Sequence, residues 1–222
     1  MLIKRERTWA TQYFGTGIWT TSYTGVASAP STNQFLQWNN TSSTPIENLR
    51  ALKTLVHLAG GEIPNKLVMG QQVWDILIDH PDFIDRVKYG QTGDGSRPKP
   101  SVANLQIMAQ ILELDQVLVM GAIYNTAGQD DTNAIDTQAE SNAFIGGKNA
   151  LLVYAPPSPG LMIPSAGYTF SWTGMYGNGP AGQRVKTFRM EHLEADRVEM
   201  EMSYTQQLVS AALGAFISGI VA

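Results

Sequence analysis

Two short apolar runs constrain this chain more than anything else in it. Asn65 to Met69, held between Pro64 and Gly70, reads as a brief buried strand, and Gln116 to Met120 (QVLVM) reads as a fully buried one. The residues between them are helical in pattern. Val73, Ile76 and Leu77 recur at helical spacing and predict a helix over Gln71 to Asp79. Pro81 restricts His80 before it and opens a second helix that buries Phe83, Ile84 and Val87. Leu105, Met108 and Leu112 carry a third after Ser101, which can cap it, and Gly90 to Lys99 is the connector. A crossover of this length lets the two strands lie side by side in one sheet.

The flanking segments add elements on the same grounds. Residues 2 to 14 are helical, with Trp9, Tyr13 and Phe14 as bulk, and Ile18 to Tyr23 reads as a strand inside a Thr- and Ser-rich stretch that continues as a surface loop to Trp38. Thr44-Pro45-Ile46-Glu47 is a helix start in which the Thr hydroxyl and the Glu carboxylate can cap reciprocally. Ile46, Leu49, Leu52, Val56 and Ala59 form its stripe, and Gly60-Gly61 stops it. Ala150 to Ala155 is a buried strand, and the prolines at 156, 157, 159 and 164 keep the next segment out of a central sheet position. Gly167 to Trp172 is a short strand, and Asn178-Gly179 marks a loop tip. Arg184 to Met190 and Arg197 to Tyr204 pair as a hairpin; Val198, Met200, Met202 and Tyr204 alternate with Glu199, Glu201 and Ser203, so one face is wet and the other packs. From Thr205 the chain fits helix and strand equally, because Gly214 and Gly219 weaken both.

With 222 residues, 43% of them hydrophobic, the chain can bury a substantial core. Fifteen basic and nineteen acidic residues leave a net charge of −4, too small to point to nucleic acid or a membrane surface. Charge is uneven, however: residues 1 to 60 carry five basic and two acidic side chains, and residues 126 to 182 carry one basic and four acidic. The absence of cysteine excludes disulfides, thiolate catalysis and thiolate metal sites. MLIKRERTWA lacks the apolar core of a signal peptide, which favours a protein that stays in the cytoplasm where it is made. The apolar segment LVSAALGAFISGIVA is shorter than a membrane span and reads as core or interface.

The signatures of chemistry are missing or explained by ordinary structure. His57, His80 and His192 have no partner at metal-ligand spacing, and neither Gly-x-Ser-x-Gly nor His-Glu-x-x-His occurs. Gly146-Gly147-Lys148-Asn149 lacks the earlier glycine and the hydroxyl of a phosphate loop and fits a tight turn, as Gly93-Asp94-Gly95-Ser96 fits a surface loop. The loop from Thr126 to Asn142 holds Asp130, Asp131, Asp136 and Glu140, but Asp131, Asn133 and Ile135 break the calcium-loop spacing. The pairs Asp79 with Asp82 and Glu199 with Glu201 are expected on solvated faces, not as an acid and base. No catalytic, cofactor-binding or metal residue is assigned.

Six stretches carry a likeness by their order: KRERTWATQYFGTGIWTT, QWNNTSSTPIENLRALKTLV, PNKLVMGQQVWDILIDHPDFIDRVKYG, QVLVMGAIYN, GKNALLVYAPPSPGL and RVEMEMSYTQQLVSAALGAFISGIV. Together they resemble the C-terminal two thirds of a tailed-bacteriophage major capsid protein of the Hong Kong 97 type. The resemblance implies a mixed α/β (α+β) fold with two regions. Residues 1–60 and 183–205 would form a peripheral region, with Leu2 to Phe14 as the end of a spine helix and Val185 to Tyr204 as a long β-ribbon. Residues 61–182 and 206–222 would form an axial region, the acidic loop projecting toward the capsomer axis. The family's N-terminal arm, its long hairpin loop and the first part of the spine helix are expected to be absent. Some members form a lysine-asparagine crosslink between subunits, for which no local motif assigns residues.

The function implied is that of a self-assembling shell subunit and not an enzyme. Its partners would be copies of itself, with a scaffold or other virion proteins, and neither a membrane nor specific nucleic acid. It would reside in the virion capsid, and in the bacterial host cytoplasm during assembly. Trp19, Trp38 and Trp172 are candidate contact anchors if they are not internal. The rival reading is a cytoplasmic α/β ligand-binding module or small enzyme with a pocket at the C-terminal ends of Leu67 to Met69 and Val117 to Met120. Nucleic-acid binding through Lys4, Arg5 and Arg7 is a weaker third, since three charges do not make a stripe.

Overall fold

The computed structural model describes residues 2–90, 105–126, 141–160, 162–172 and 183–222. The chain divides into two compact units: unit 1 is Met1–Ala166 with Ser210–Ala222, and unit 2 is Gly167–Val209. The connector at 91–99, the cap at Ser101, the acidic residues at 130–140 and the loop tip at 178–179 lie outside the described residues.

Unit 1 begins with helix α1 (Leu2–Tyr13) and strands β1 (Thr21–Val26) and β2 (Gln34–Leu36). Helix α2 (Pro45–Gly60), strand β3 (Lys66–Gly70), helices α3 (Gln71–Ile78), α4 (Pro81–Gly90) and α5 (Leu105–Leu112), and strand β4 (Gln116–Met120) follow. A small ribbon of β5 (Ile123–Asn125) and β6 (Asn142–Phe144) precedes β7 (Ala150–Val153). The expected crossover is present: β3 and β4 run parallel, with Lys66 opposite Gln116 and Gly70 opposite Met120.

Unit 2 contains β8 (Gly167–Ser171), β9 (Gln183–Met190), β10 (Ala195–Met202) and β11 (Tyr204–Leu208). The chain then returns to unit 1 and forms β12 (Gly214–Ser218). That last strand enters the middle of the unit 1 sheet, whose order is β2-β1-β12-β7-β3-β4.

The central strands β12 and β7, and β3 from Leu67 to Gly70, are apolar because both of their faces are covered, whereas β1 (Thr21–Val26) stays polar and half-exposed. On one face, Leu67, Met69, Leu152, Ala215 and Ile217 meet the α2 stripe and Val73, Leu77, Phe83, Met108 and Leu112. Each large side chain buried there contributes about 1.5–3 kcal/mol. On the other, Phe216 meets Phe14 edge-on at 5.4 Å, and the Trp19 ring lies over Gly214. A Cβ at Gly214 would collide with that ring, so the glycine that blurs the sequence pattern is there to seat Trp19.

Several expectations are corrected. The first strand starts at Thr21, and Phe35 and Trp38, expected in a surface loop, are buried and stacked at 5.7 Å. β4 is not fully buried: it forms the sheet edge, and Gln116 and Leu118 face solvent. Ala59 is exposed, since the α2 stripe loses the core by its last turn. Most informative is the start of α2, where Thr44 makes no side-chain cap. Instead the Ile46 amide donates to Asp82 Oδ2 at 3.3 Å, and Glu47 pairs with Arg86 at 2.8 Å. A carboxylate from α4 therefore supplies the cap that the local sequence offers, and Asp82 is a working residue rather than a solvated one.

In unit 2, β9 and β10 form the predicted antiparallel ribbon, with Val185 opposite Met200 and Phe188 opposite Arg197. β10 ends at Met202, and Tyr204 opens β11, which pairs with β8.

Candidate interaction surfaces

Among the polar residues singled out in the sequence, His80 is held in a structural role. Buried His80 accepts the Asp82 amide at Nδ1 (3.2 Å), so its proton sits on Nε2, which lies 3.1 Å from Ser43 Oγ. Ser43 Oγ in turn donates to the Asn40 carbonyl at 2.7 Å. The serine and histidine are adjacent, a proximity hidden in the sequence by their separation, but an imidazole already protonated at Nε2 cannot take the serine proton. The trio ties the Asn40 to Ser43 turn to the α3–α4 junction.

His57 is exposed on α2, and its carbonyl accepts the Gly61 amide at the helix stop. His192 is exposed in the turn between β9 and β10. Asp79 is exposed. Glu199 and Glu201 pair with Arg197 at 2.8 Å and Arg184 at 2.6 Å. Arg7 lies over the Tyr124 ring at 4.5 Å. Among the described residues, no group of three His, Asp or Glu side chains is placed to hold a metal ion.

The crevice beyond the carboxyl ends of β3 and β4 is filled by the protein itself. Gly146 and Gly147 cross there so closely that a Cβ on Gly70 would strike the Gly147 carbonyl, and one on Gly146 would lie 2.8 Å from Gly70 Cα. The Gly70 amide donates to the Asn149 carbonyl at 3.0 Å. Backbone occupies the place where a doubly wound α/β enzyme would hold its ligand.

Apolar side chains are exposed as well. The β9–β10 ribbon has two unlike faces, because residues directly opposite in an antiparallel pair share a side. One face carries Arg184 with Glu201, Lys186 with Glu199, and Phe188 flanked by Lys186 at 5.0 Å and Arg197 at 5.7 Å. The other carries Val185 with Met200, and Thr187 with Val198. The sequence predicts that this second face packs. It does not: Val185 is 65% exposed, Val198 66% and Met200 47%.

Strand β8 adds a second apolar row, since Tyr168, Phe170 and Trp172 alternate to one side, and Trp172 is 67% exposed. Trp19 and Trp38 are core residues and leave Trp172 as the accessible member of the three candidate anchors. In unit 1, Leu55 and the exposed Leu58 border an open groove of about 380 Å³ shared with Thr21 and Tyr23. Among the described residues, no helix is long and apolar enough to cross a membrane.

Comparison with known proteins gives these surfaces a context. No family model matches the chain. Over 183 residues, 80% of this chain, the sequence is 25% identical to the major capsid protein of Burkholderia phage BcepMu. The chain is similar to a phage major capsid protein. It spans 51% of that relative's length, about half. A phage-related protein of Bordetella bronchiseptica RB50, known from a crystal structure, aligns with a TM-score of 0.75 over 98% of this chain and 63% of its own. At 19% identity that likeness is one of fold, and the mixed α/β architecture is the shared property.

Proposed function

We propose that the chain is a shell-forming subunit of a phage head, with a capsid fold of the Hong Kong 97 type, and that it works by self-association. The observation that carries the reading is the uncovered row Val185, Val198 and Met200 on a two-stranded ribbon, in a chain similar to a phage major capsid protein. An isolated two-stranded ribbon is marginal in water, and apolar side chains exposed on one face of it are stabilised when another surface covers them. In a closed symmetric array every copy presents the same surface, so modest contacts sum over the particle.

On this reading residues 1–60 and 183–205 form the peripheral region and residues 61–182 and 206–222 the axial one. Copies of the same chain are the principal partners, with a scaffold or other virion proteins as further ones. The virion capsid is the destination, reached from the host cytoplasm. No reaction is assigned.

The test compares the chain with its Val198→Glu, Met200→Glu variant by sedimentation and negative-stain electron microscopy. The expected result is rings, tubes or shells from the unaltered chain, and their loss in the variant with an unchanged melting temperature. A chain that stays monomeric at every concentration counts against the proposal. So does a clear thermal shift with one class among nucleotides, sugars or divalent metals, which at a hundred times the dissociation constant amounts to about 2.7 kcal/mol.

A further inference from the structure

The strands of the unit 1 sheet fall into two blocks that are joined through one strand, β12. The first block is residues 14–38. Its strand β1 pairs with β2 from the same block and with β12. The second block contains β3, β4 and β7, and β7 reaches across to β12. Removing β12 from the order β2-β1-β12-β7-β3-β4 cuts the sheet in two.

The side contacts repeat the pattern. Toward the first block, the Thr20 amide donates to the Ala211 carbonyl at 3.2 Å and the Trp38 amide to the Ile220 carbonyl at 2.9 Å. Gln37 Nε2 donates to the Gly219 carbonyl at 3.2 Å, and Thr24 Oγ1 meets Ser218 Oγ at 3.0 Å. Toward the second, the Tyr154 amide donates to the Leu213 carbonyl at 2.9 Å and the Ile220 amide to the Lys148 carbonyl at 2.9 Å. The Gly219 amide donates to Asn149 Oδ1 at 3.1 Å. Phe216, Ile217 and Ile220 are buried.

We infer that residues 210–222 are a closing strand, and that the slot between β1 and β7 is a binding site for that segment which accepts it equally from a separate polypeptide. The ligand class is an apolar β-strand peptide, parallel to β1 and antiparallel to β7, with glycine at the place under Trp19. Because this strand follows every other strand of the sheet in chain order, unit 1 stays open until unit 2 has been made. Its pairing with β1 joins residues as far apart as Thr24 and Ser218, a contact of very high sequence separation that closes late and slowly. The inference rests on the connectivity of unit 1 and is independent of the proposed role in a shell.

The experiment uses the full chain with a specific protease site inserted between Val209 and Ser210; Val209 is exposed and can take the insertion. After cleavage, residues 210–222 are expected to co-elute with the rest on gel filtration. In denaturant below the unfolding midpoint, a fluorescent synthetic peptide of residues 210–222 is expected to replace them, and the midpoint to rise with peptide concentration. The same peptide carrying Gly214→Val is expected not to enter. Loss of the segment with the sheet otherwise intact, failure of the labelled peptide to exchange, or entry of the valine peptide would each overturn the inference. A second measurement on the uncut chain covers the case in which the insertion perturbs folding. Amides of β1, β7 and β12 should exchange hydrogen through one common opening, and independent exchange rates for β1 and β7 would overturn it equally.

Discussion

The side-chain amide of Asn65 pairs with the backbone of Ala155 at two points. The Ala155 amide donates to Asn65 Oδ1 at 2.9 Å, and Asn65 Nδ2 donates to the Ala155 carbonyl at 2.9 Å. Nδ2 also donates to Asp115 Oδ2 at 2.8 Å, while the Asn65 carbonyl accepts the Asp115 amide at 2.9 Å. One asparagine thus fastens the start of β4 and the end of β7 to the strand between them. Asn65→Ala should cost about 1–3 kcal/mol in urea denaturation, because it leaves part-buried backbone groups without partners. Asn65→Asp should be worse near neutral pH than in acid: the introduced carboxylate faces Asp115 and a carbonyl, so its ionised form is disfavoured in the fold and stability falls as pH rises. A variant equally stable at both pH values contradicts this placement.

Helix α2 provides a test of cap against cap. Asp82→Ala removes the acceptor for the Ile46 amide and one partner of Arg86, and should destabilise by about 1 kcal/mol. Thr44→Ala removes no side-chain hydrogen bond and should change stability by less than about 0.5 kcal/mol. Paired denaturation curves decide between them. The reverse ranking would return the cap to the local sequence.

Ser43 and His80 offer a chemical check. Ser43→Ala should lower stability by about 1 kcal/mol by removing an acceptor for His80 and a donor to Asn40. An activated-serine probe should label the unaltered chain no more than this variant. Specific labelling at Ser43 would show that the imidazole acts as a base and that the tautomer assignment is wrong.

The contact between Gly214 and Trp19 predicts a severe substitution. Gly214→Val in the full chain places a branched side chain inside the indole and should cost more than about 2 kcal/mol, with a change in tryptophan fluorescence. Trp19→Leu alone should destabilise too, yet it should soften the effect of Gly214→Val in a double-mutant cycle, since the obstructing ring is gone. Strict additivity would mean that the two residues do not press on one another.

Much of the fold is legible in the sequence because the local signals agree with the tertiary result. The β3-to-β4 crossover, the α2 stripe and the β9–β10 ribbon all follow from periodicity and turn residues. The failures have identifiable causes. Thr44 carries a capping signature, but a carboxylate distant in sequence reaches the Ile46 amide instead. Gly214 lowers strand propensity, yet the ring above it requires the missing side chain. Alternation in β10 identifies an apolar face, and it cannot say whether that face is covered within the same chain or left for another surface. The Ser43–His80 contact joins residues 37 positions apart and has no local signal at all.

The parallel pairing of β1 with β12 also sets how the sheet carries load. Force applied at the start of β1 and at the end of β12 pulls two parallel strands along their length, so the register from Thr21 with Ala215 to Thr24 with Ser218 is strained as one group. The bonds must yield together in shear instead of peeling one after another. A strand pair arranged in this way resists tension between the outer ends of its two strands far better than it resists a pull across them.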